Sequence, residues 1–381
     1  MRQMKVALIG PTYPFRGGIA HYTTLLYRHL RSRHEVRFFS FKRQYPRMLF
    51  PGKSDKDPSL AHIRVDGAER IIDSINPVTW VRAAGEINRF QPDIVIIPWW
   101  VAFWTPQFLT IVKILTWKRA PKILFICHNV VAHEATALDQ HLTGLVLKTG
   151  DYFIVHSDED RINLLRILPD AIVRKHFHPS YDVFNFNRFD PEQSRAQLAL
   201  GGRVLLFFGF VRQYKGLKYL IRAMPAILAK TEVTLLVVGE FWKDKSDYLD
   251  LIDQLEISPY VRIVDQYVPN ERVGLYFSAA DLVVQPYLSA TGSGVVQVAF
   301  GFEKPVVATR VGSLPEIVDD GKTGYLVSPG SASEIADAVN KFFGEDKAGL
   351  FVENIRKEKY RFSWDQLVDG IEALAGGKGG E

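Results

Sequence analysis

The sequence predicts an α/β protein built from two Rossmann-like, parallel-sheet domains facing across a cleft. Three observations carry this. Short strands that are apolar on both faces alternate with segments of helical period along the chain. The alternation lapses near residue 180 and restarts after Gly201–Gly202. The length, 381 residues, suits two domains better than one.

In the first half the strands are KVALIG, EVRFFSF, DIVIIPWW, KILFICHN and DYFIVHS, and Ile19, Tyr22, Leu26 and Leu30 recur at helical spacing between the first two. The second half offers RVLLFFGF, VTLLVVGE, VRIVDQY, DLVVQPY, PVVATR and GYLVS, each followed by a helical segment. Strands buried on both faces and separated by helices make parallel sheets covered on both sides. The domains are expected over 1–180 and 198–361. The stretch HPSYDVFNFNRFDPEQSRAQLALGG has no clean period and reads as their join, and GGKGGE reads as a frayed tail. Open parallel sheets take ligands at the carboxyl ends of their strands, so two facing sheets would put the ligand in the cleft.

Composition narrows the class. The chain is 47% hydrophobic and 23% charged, as folded proteins are. A net charge of +5 does not by itself point to nucleic acid, and no nucleic-acid partner is expected. The single cysteine, Cys127, forbids an internal disulfide framework and fits a reducing compartment. MRQMKVALIG has too short an apolar run for a secretory signal, and no long apolar stretch predicts a membrane span. A cytoplasmic protein is expected.

Two loops of the second half aim at one sheet edge. After RVLLFFGF come Arg212 and Lys215, directly before a helix. Two cations beside a helix N-terminus make a phosphate seat; solvated surface charges are the bland alternative. After DLVVQPY, the residues Thr291, Gly292, Ser293 and Gly294 stand between a strand end and a helix start. Their N–H groups suit an anion while Ser293 or Thr291 caps the helix; a cap that binds nothing is the alternative. Together the loops predict a diphosphate site. Glu240 in GEFW and Tyr267 in DQYVPN are candidates for holding a nucleobase.

In the first half, Gly17–Gly18 opens a helix directly after the first strand, which makes Gly18 a further anion-side candidate. This is not G-x-G-x-x-G, since Gly10 stands seven residues before Gly17 with two prolines between. His128, at the end of KILFICHN, is a candidate sugar-contacting or catalytic group, against the alternative of a structural histidine. No metal site is expected. Asp158–Glu159–Asp160 reads as capping charge behind Ser157, Asp55–Lys56–Asp57 lies in a turn-like stretch, and His176 and His178 have no third ligand nearby.

On these residues the chain resembles the family-four retaining glycosyltransferases of the GT-B fold, which use nucleotide-diphosphate sugars. The pieces that carry the resemblance are GGIAHYTTLL, YKGLKYLIRA, AADLVVQPY, KPVVATRVGSLPEIVDDGKTGYLVSPG and FSWDQL. It implies a tail helix over 362–376 that packs back on the N-terminal domain. It also implies Gly209 as the phosphate-loop glycine, Lys215 in register as a phosphate contact, and His128 as the sugar-contacting histidine. The family's arginine directly follows that glycine; here Phe210 stands in its place and Arg212 lies two residues on. The family's glutamate pair, E-x7-E, falls on Ala290 and Val298. Gln297, one residue earlier, is the candidate for the ribose side, about 100° round the helix.

The resemblance therefore implies transfer of a sugar from a nucleotide-diphosphate donor to an acceptor hydroxyl, on a glycan or lipid-linked glycan, with retention and with no cofactor beyond the donor. Arg212, Lys215 and His128 are the expected catalytic residues, the two cations meeting charge that grows on the departing diphosphate. A catalytically silent GT-B protein that binds nucleotide or glycan as a partner subunit is the alternative, and the missing glutamates are its support. A dinucleotide-dependent oxidoreductase lacks its fingerprint, and a non-hydrolysing epimerase would turn over donor without acceptor. On the acceptor side, basic residues from Arg28 to Lys53 interleave with Phe38, Phe39, Phe41, Tyr45 and Phe50. They read either as a peripheral contact with an anionic membrane or as a strand with buried rings and solvated charges. Trp99, Trp100, Phe103 and Trp104 read either as a sugar platform or as core.

Overall fold

The structure, a computed structural model, describes residues 3–46, 54–60, 63–118, 120–131, 136–185, 187 and 189–377. The chain forms two compact units, Met1–Phe177 with Trp364–Glu381, and His178–Ser363.

The first unit opens with β1 (Lys5–Ile9), α1 (Gly18–Arg31), β2 (Glu35–Arg43), β3 (Glu69–Asp73), α2 (Pro77–Phe90) and β4 (Ile94–Trp99). It continues with α3 (Thr105–Lys118), β5 (Lys122–Cys127), α4 (Ala137–Leu147), β6 (Tyr152–Val155), α5 (Asp158–Ile167) and β7 (Ile172–Lys175). All seven strands are parallel, in the order β3-β2-β1-β4-β5-β6-β7, so the order reverses between β1 and β4. Every residue of β4 is buried, as helices on both faces require. Local chemistry sets the helix starts: Asn76 accepts from Val78 N at 3.1 Å with Pro77 at the first helical position, and Ser157 accepts from Asp160 N at 3.0 Å.

The basic-aromatic stretch resolves into a core strand. Phe38, Phe39 and Phe41 are fully buried in β2. Arg37 forks onto Glu69 at 2.7 and 2.6 Å, and Arg43 onto Asp73 at 2.9 and 2.6 Å. The rings thus fill the interior and these two charges are paired with carboxylates; Arg47, Phe50 and Lys53 lie outside the described residues. Trp99 and Trp104 are core residues, and Trp100 and Phe103 pack against that core. No helix among the described residues is long and apolar enough to cross a membrane.

The second unit begins with a 3-10 turn at Asp182–Asn185 and α6 (Pro191–Gln197), followed by β8 (Arg203–Phe208), α7 (Leu217–Leu228), β9 (Val233–Val238), α8 (Lys245–Gln254), β10 (Val261–Val264) and α9 (Asn270–Ala279). β11 (Leu282–Gln285), α10 (Gly294–Gly301), β12 (Val306–Thr309), α11 (Leu314–Ile317), β13 (Gly324–Val327), α12 (Ala332–Gly344) and α13 (Ala348–Glu358) complete it. Its six parallel strands run β10-β9-β8-β11-β12-β13, reversing between β8 and β11. The stretch read as a join belongs to this unit. Tyr181 and Phe184 are buried, and a Cβ on Gly301 would sit 3.0 Å from Asp182 Oδ1. Its apolar residues lie on irregular turns packed under α9 and α10, so no period marks them.

The tail helix α14 (Trp364–Ala375) lies in the first unit. Arg33 holds Asp365 at 3.0 Å and Asp369 at 2.5 Å, while His34 Nε2 meets Glu372 Oε1 at 3.0 Å. Trp364 packs on Tyr22 and stacks on His29, with ring centroids 5.1 and 5.5 Å apart. A Cβ on Gly370 would lie 2.0 Å from His176 Nε2, so the helix needs glycine where it crosses that ring.

Candidate functional site

The loops after β8 and β11 flank the switch point of the second sheet, where open α/β sheets take their ligands. After β8 the chain turns through Gly209 at φ 104° and a 3-10 turn at Gln213–Lys215, and α7 follows Gly216 at φ 69°. Both glycines are required by close approaches. A Cβ on Gly216 would fall 1.8 Å from the Pro286 carbonyl oxygen, and one on Gly209 would meet Lys215 Nζ at 3.0 Å and Val295 Cγ2 at 3.5 Å. The ammonium of Lys215, the backbone of Gly209 and the start of α10 therefore share one small space.

Lys215 is 9% exposed, and among the described residues no carboxylate lies within ion-pairing distance of its ammonium. Burial lowers its pKa below the ordinary lysine value, with Tyr214 opposing the shift and Arg212 adding to it. Its ammonium stands 5.4 Å from the ring centroid of Tyr287. Arg212 lies between two rings, its guanidinium carbon 4.9 Å from the centroid of Tyr214 and 4.8 Å from that of Trp242. Planar guanidinium on aromatic faces is a geometry that fixes the side chain without consuming its charge.

Tyr287 ties the two loops together, and nothing in the sequence reading singled it out. Ser293 donates to its hydroxyl at 3.3 Å, Thr309 donates to its carbonyl oxygen at 2.6 Å, and its ring carries Lys215. Burial pushes its phenol up to about 12, so it stays protonated. Ser293 also accepts from Val296 N at 3.4 Å and so caps α10. Thr291 accepts from Ser313 N at 3.0 Å, while Gly292 and Gly294 are exposed. The exposed N–H groups at this helix start suit an anion, as the sequence predicts.

Beyond Gly209 the strand ends carry rings. Phe210, after β8, has its centroid 5.2 Å from that of Trp242, after β9, and 6.0 Å from that of Tyr267, after β10. Tyr267 is half-buried, with one contact in this cluster. Glu240 is 3% exposed, and its carbonyl accepts from Val211 N at 3.0 Å. Gln297 is fully buried, and its amide has no hydrogen-bond partner among the described residues. Ala290 and Val298 are buried at 5% and 7% exposure.

Gly18 and His128 lie in the first unit, at the carboxyl ends of β1 and β5. Gly18 is exposed and a Cβ there would meet nothing within 4 Å, so the space over the α1 start is open. His128 is half-buried, its ring edge-on to Tyr22 at 4.4 Å and 5.2 Å from that of His156, while its backbone N–H donates to the Trp99 carbonyl at 2.8 Å. Of the D-x-D stretches, Asp160 is buried and accepts from Val130 N at 2.9 Å, and Asp57 accepts from Ser59 N at 2.9 Å and meets His21 Nε2 at 3.4 Å; both serve local structure.

Comparison with known proteins agrees with this geometry. Residues 202–345 match the family described as glycosyl transferases group 1. The chain is similar to a D-inositol 3-phosphate glycosyltransferase of Corynebacterium jeikeium, 27% identical over 83% of this chain and 74% of the relative. A second, from Corynebacterium aurimucosum, is 31% identical over 65% of this chain and 58% of the relative. Among solved structures it is similar to sucrose-phosphate synthase from Thermosynechococcus elongatus, with TM-score 0.71 and 21% identity over 98% of each chain. Anabaena HepE in complex with UDP has TM-score 0.73 and 17% identity over 97% of this chain and 100% of the other. The second domain thus matches the group 1 glycosyl transferases over residues 202–345, and the chain has the GT-B fold.

Proposed function

We propose that the chain transfers a hexose from a nucleotide-diphosphate sugar to a hydroxyl of a glycan or lipid-linked glycan, with retention at the anomeric carbon. One observation carries the donor side: a buried ammonium, Lys215, without a carboxylate partner beside Gly209 and the α10 N-terminus. Two anionic phosphates supply the missing charge. As the C1–O bond breaks, the electron pair moves onto the diphosphate, and Lys215, Arg212 and the N–H groups at Gly292–Gly294 bind that growing charge. The acceptor oxygen bonds to C1 on the same face and gives its proton to the departing phosphate oxygen, so the reading needs neither a protein nucleophile nor a cofactor. Phe210, Trp242 and Tyr267 offer rings to the base, and His128 is the proposed sugar contact. HepE binding UDP supports uridine as the first base to try.

The test is a thermal-shift series with UDP, GDP and ADP on the wild type and on Arg212→Ala. A ligand at a hundred times its Kd stabilises the native state by about 2.7 kcal/mol. A shift with one nucleoside diphosphate that shrinks in Arg212→Ala supports the reading. Equal shifts in both proteins, or none with any nucleotide, overturn it.

A further inference from the structure

The first unit has a second basic site, on the flank of α1 and away from its Gly18 start. A cavity of about 420 Å³ is lined by Arg28 and Arg31 on α1, by Arg64 and Asp66, and by the Tyr27 ring. By the helix rise, Arg28 and Arg31 stand about 15 and 20 Å along the axis from Gly18. Three guanidiniums thus face one carboxylate.

The neighbouring arginines mark the contrast. Arg33, Arg37, Arg43 and Arg89 each hold a carboxylate at 3.0 Å or less. Among the described residues, Arg31 and Arg64 have no such partner. Arg31 lies 5.9 Å from the Tyr27 centroid, and Arg64 donates to Tyr13 OH at 2.8 Å and lies 4.1 Å from that ring's centroid. Arg28 donates to the Arg64 carbonyl at 2.9 Å, which holds the two segments and their charges side by side. Burial lowers the Arg28 pKa below the ordinary arginine value. The carboxyl-terminal end of α1 opposes an anion with about half a charge, which three full charges outweigh.

We propose that this cavity is an anion site for a phosphate group, held by forked contacts from Arg28, Arg31 and Arg64 and separate from the loops of the second unit. Phosphate presents tetrahedral oxygens that suit guanidinium forks. The group comes either from a soluble phosphate compound or from a phospholipid head group.

The experiment uses the full chain and Arg31→Gln/Arg64→Gln; both side chains are exposed and neither is ion-paired, so folding should survive. Inorganic phosphate is titrated while the arginine side-chain N–H resonances are followed by NMR. Separately, co-sedimentation is measured with vesicles of phosphatidylglycerol and phosphatidylcholine, and of phosphatidylcholine alone. Arg82→Gln/Arg161→Gln removes the same charge elsewhere in this unit. Losing two charge-assisted contacts should weaken phosphate binding by at least about tenfold in the first double variant. Loss of phosphate binding without a change on vesicles assigns a soluble ligand, and loss of phosphatidylglycerol binding assigns a head group. No phosphate response in the wild type, or equal losses in both double variants, overturns the proposal.

Discussion

Replacing Lys215 with methionine should make the protein more stable and less active at once. Lys215 is 9% exposed and, among the described residues, no carboxylate lies beside its ammonium, so folding desolvates a charge that the Tyr287 ring offsets in part. An unpaired buried ion costs several kcal/mol, and a cation–π contact returns about 2 at most. Methionine has nearly the same length and no charge, so we expect the second unit to gain about 1–3 kcal/mol. For a domain of this size that is a rise in Tm of roughly 2–12 °C. The pH dependence follows from linkage. Because the folded pKa is lowered, the unfolded chain binds more protons between that pKa and the ordinary lysine value of 10.5, and wild-type stability rises with pH across that window. The advantage of Lys215→Met should therefore be full below the folded pKa and shrink as pH rises through that window. Donor turnover should fall about 100- to 1000-fold, the scale for losing one donor to transition-state charge. Thermal melts at several pH values, with and without UDP, and turnover of UDP-glucose read all of this. A ligand-free variant that melts below the wild type, or keeps its turnover, refutes the reasoning.

Two glycine substitutions test the same packing. Gly209→Ala puts a methyl 3.0 Å from Lys215 Nζ at φ 104°; the flexible ammonium gives way, so we expect about 1–2 kcal/mol of backbone strain and a much larger loss of turnover, checked by melts alongside kinetics. Gly370→Ala puts a methyl 2.0 Å from the His176 ring, and the His176 backbone N–H is anchored on Val155 O at 3.0 Å, so we expect α14 to move. We expect a loss of about 1–3 kcal/mol and faster release of the tail in limited proteolysis, with the nucleotide shift unchanged.

The fold was legible because most strands of both sheets are short runs apolar on both faces, a pattern that parallel sheets and few other structures demand; the edge strands β3, ERIID, and β7, IVRK, carry charges and were not read. The loops proposed to hold the diphosphate stood out for a related reason: cations and small residues at strand ends have a recognisable position even before coordinates exist. What could not be read were contacts that join separate loops. Tyr287 looks like one more aromatic residue after a strand, and only the folded chain shows Lys215 over its ring and Ser293 on its hydroxyl. Phe210 is a mismatch to an expected arginine in sequence, whereas in the structure it packs with Trp242, and Arg212 reaches that indole from two residues further on. The join at 178–197 failed for lack of periodicity, because irregular turns can be core without repeating.

The acidic positions lost from this chain bear on how its donor side works. Ala290 and Val298 are nearly buried, and the backbone at Ala290 is closed in by Gly312, where a Cβ would lie 1.7 Å from the Ala290 carbonyl oxygen. Such positions are packed shut rather than left open with a smaller contact. Gln297, one residue before Val298, is buried with its amide unpartnered among the described residues. The polar groups at this sheet edge are then cations and N–H donors: Lys215, Arg212 and the exposed start of α10. These groups all favour negative charge, and an added carboxylate would neutralise part of that field. On the proposed function, the arrangement favours recognition through the diphosphate over recognition through sugar hydroxyls, and the discrimination among donor sugars falls to groups outside this edge.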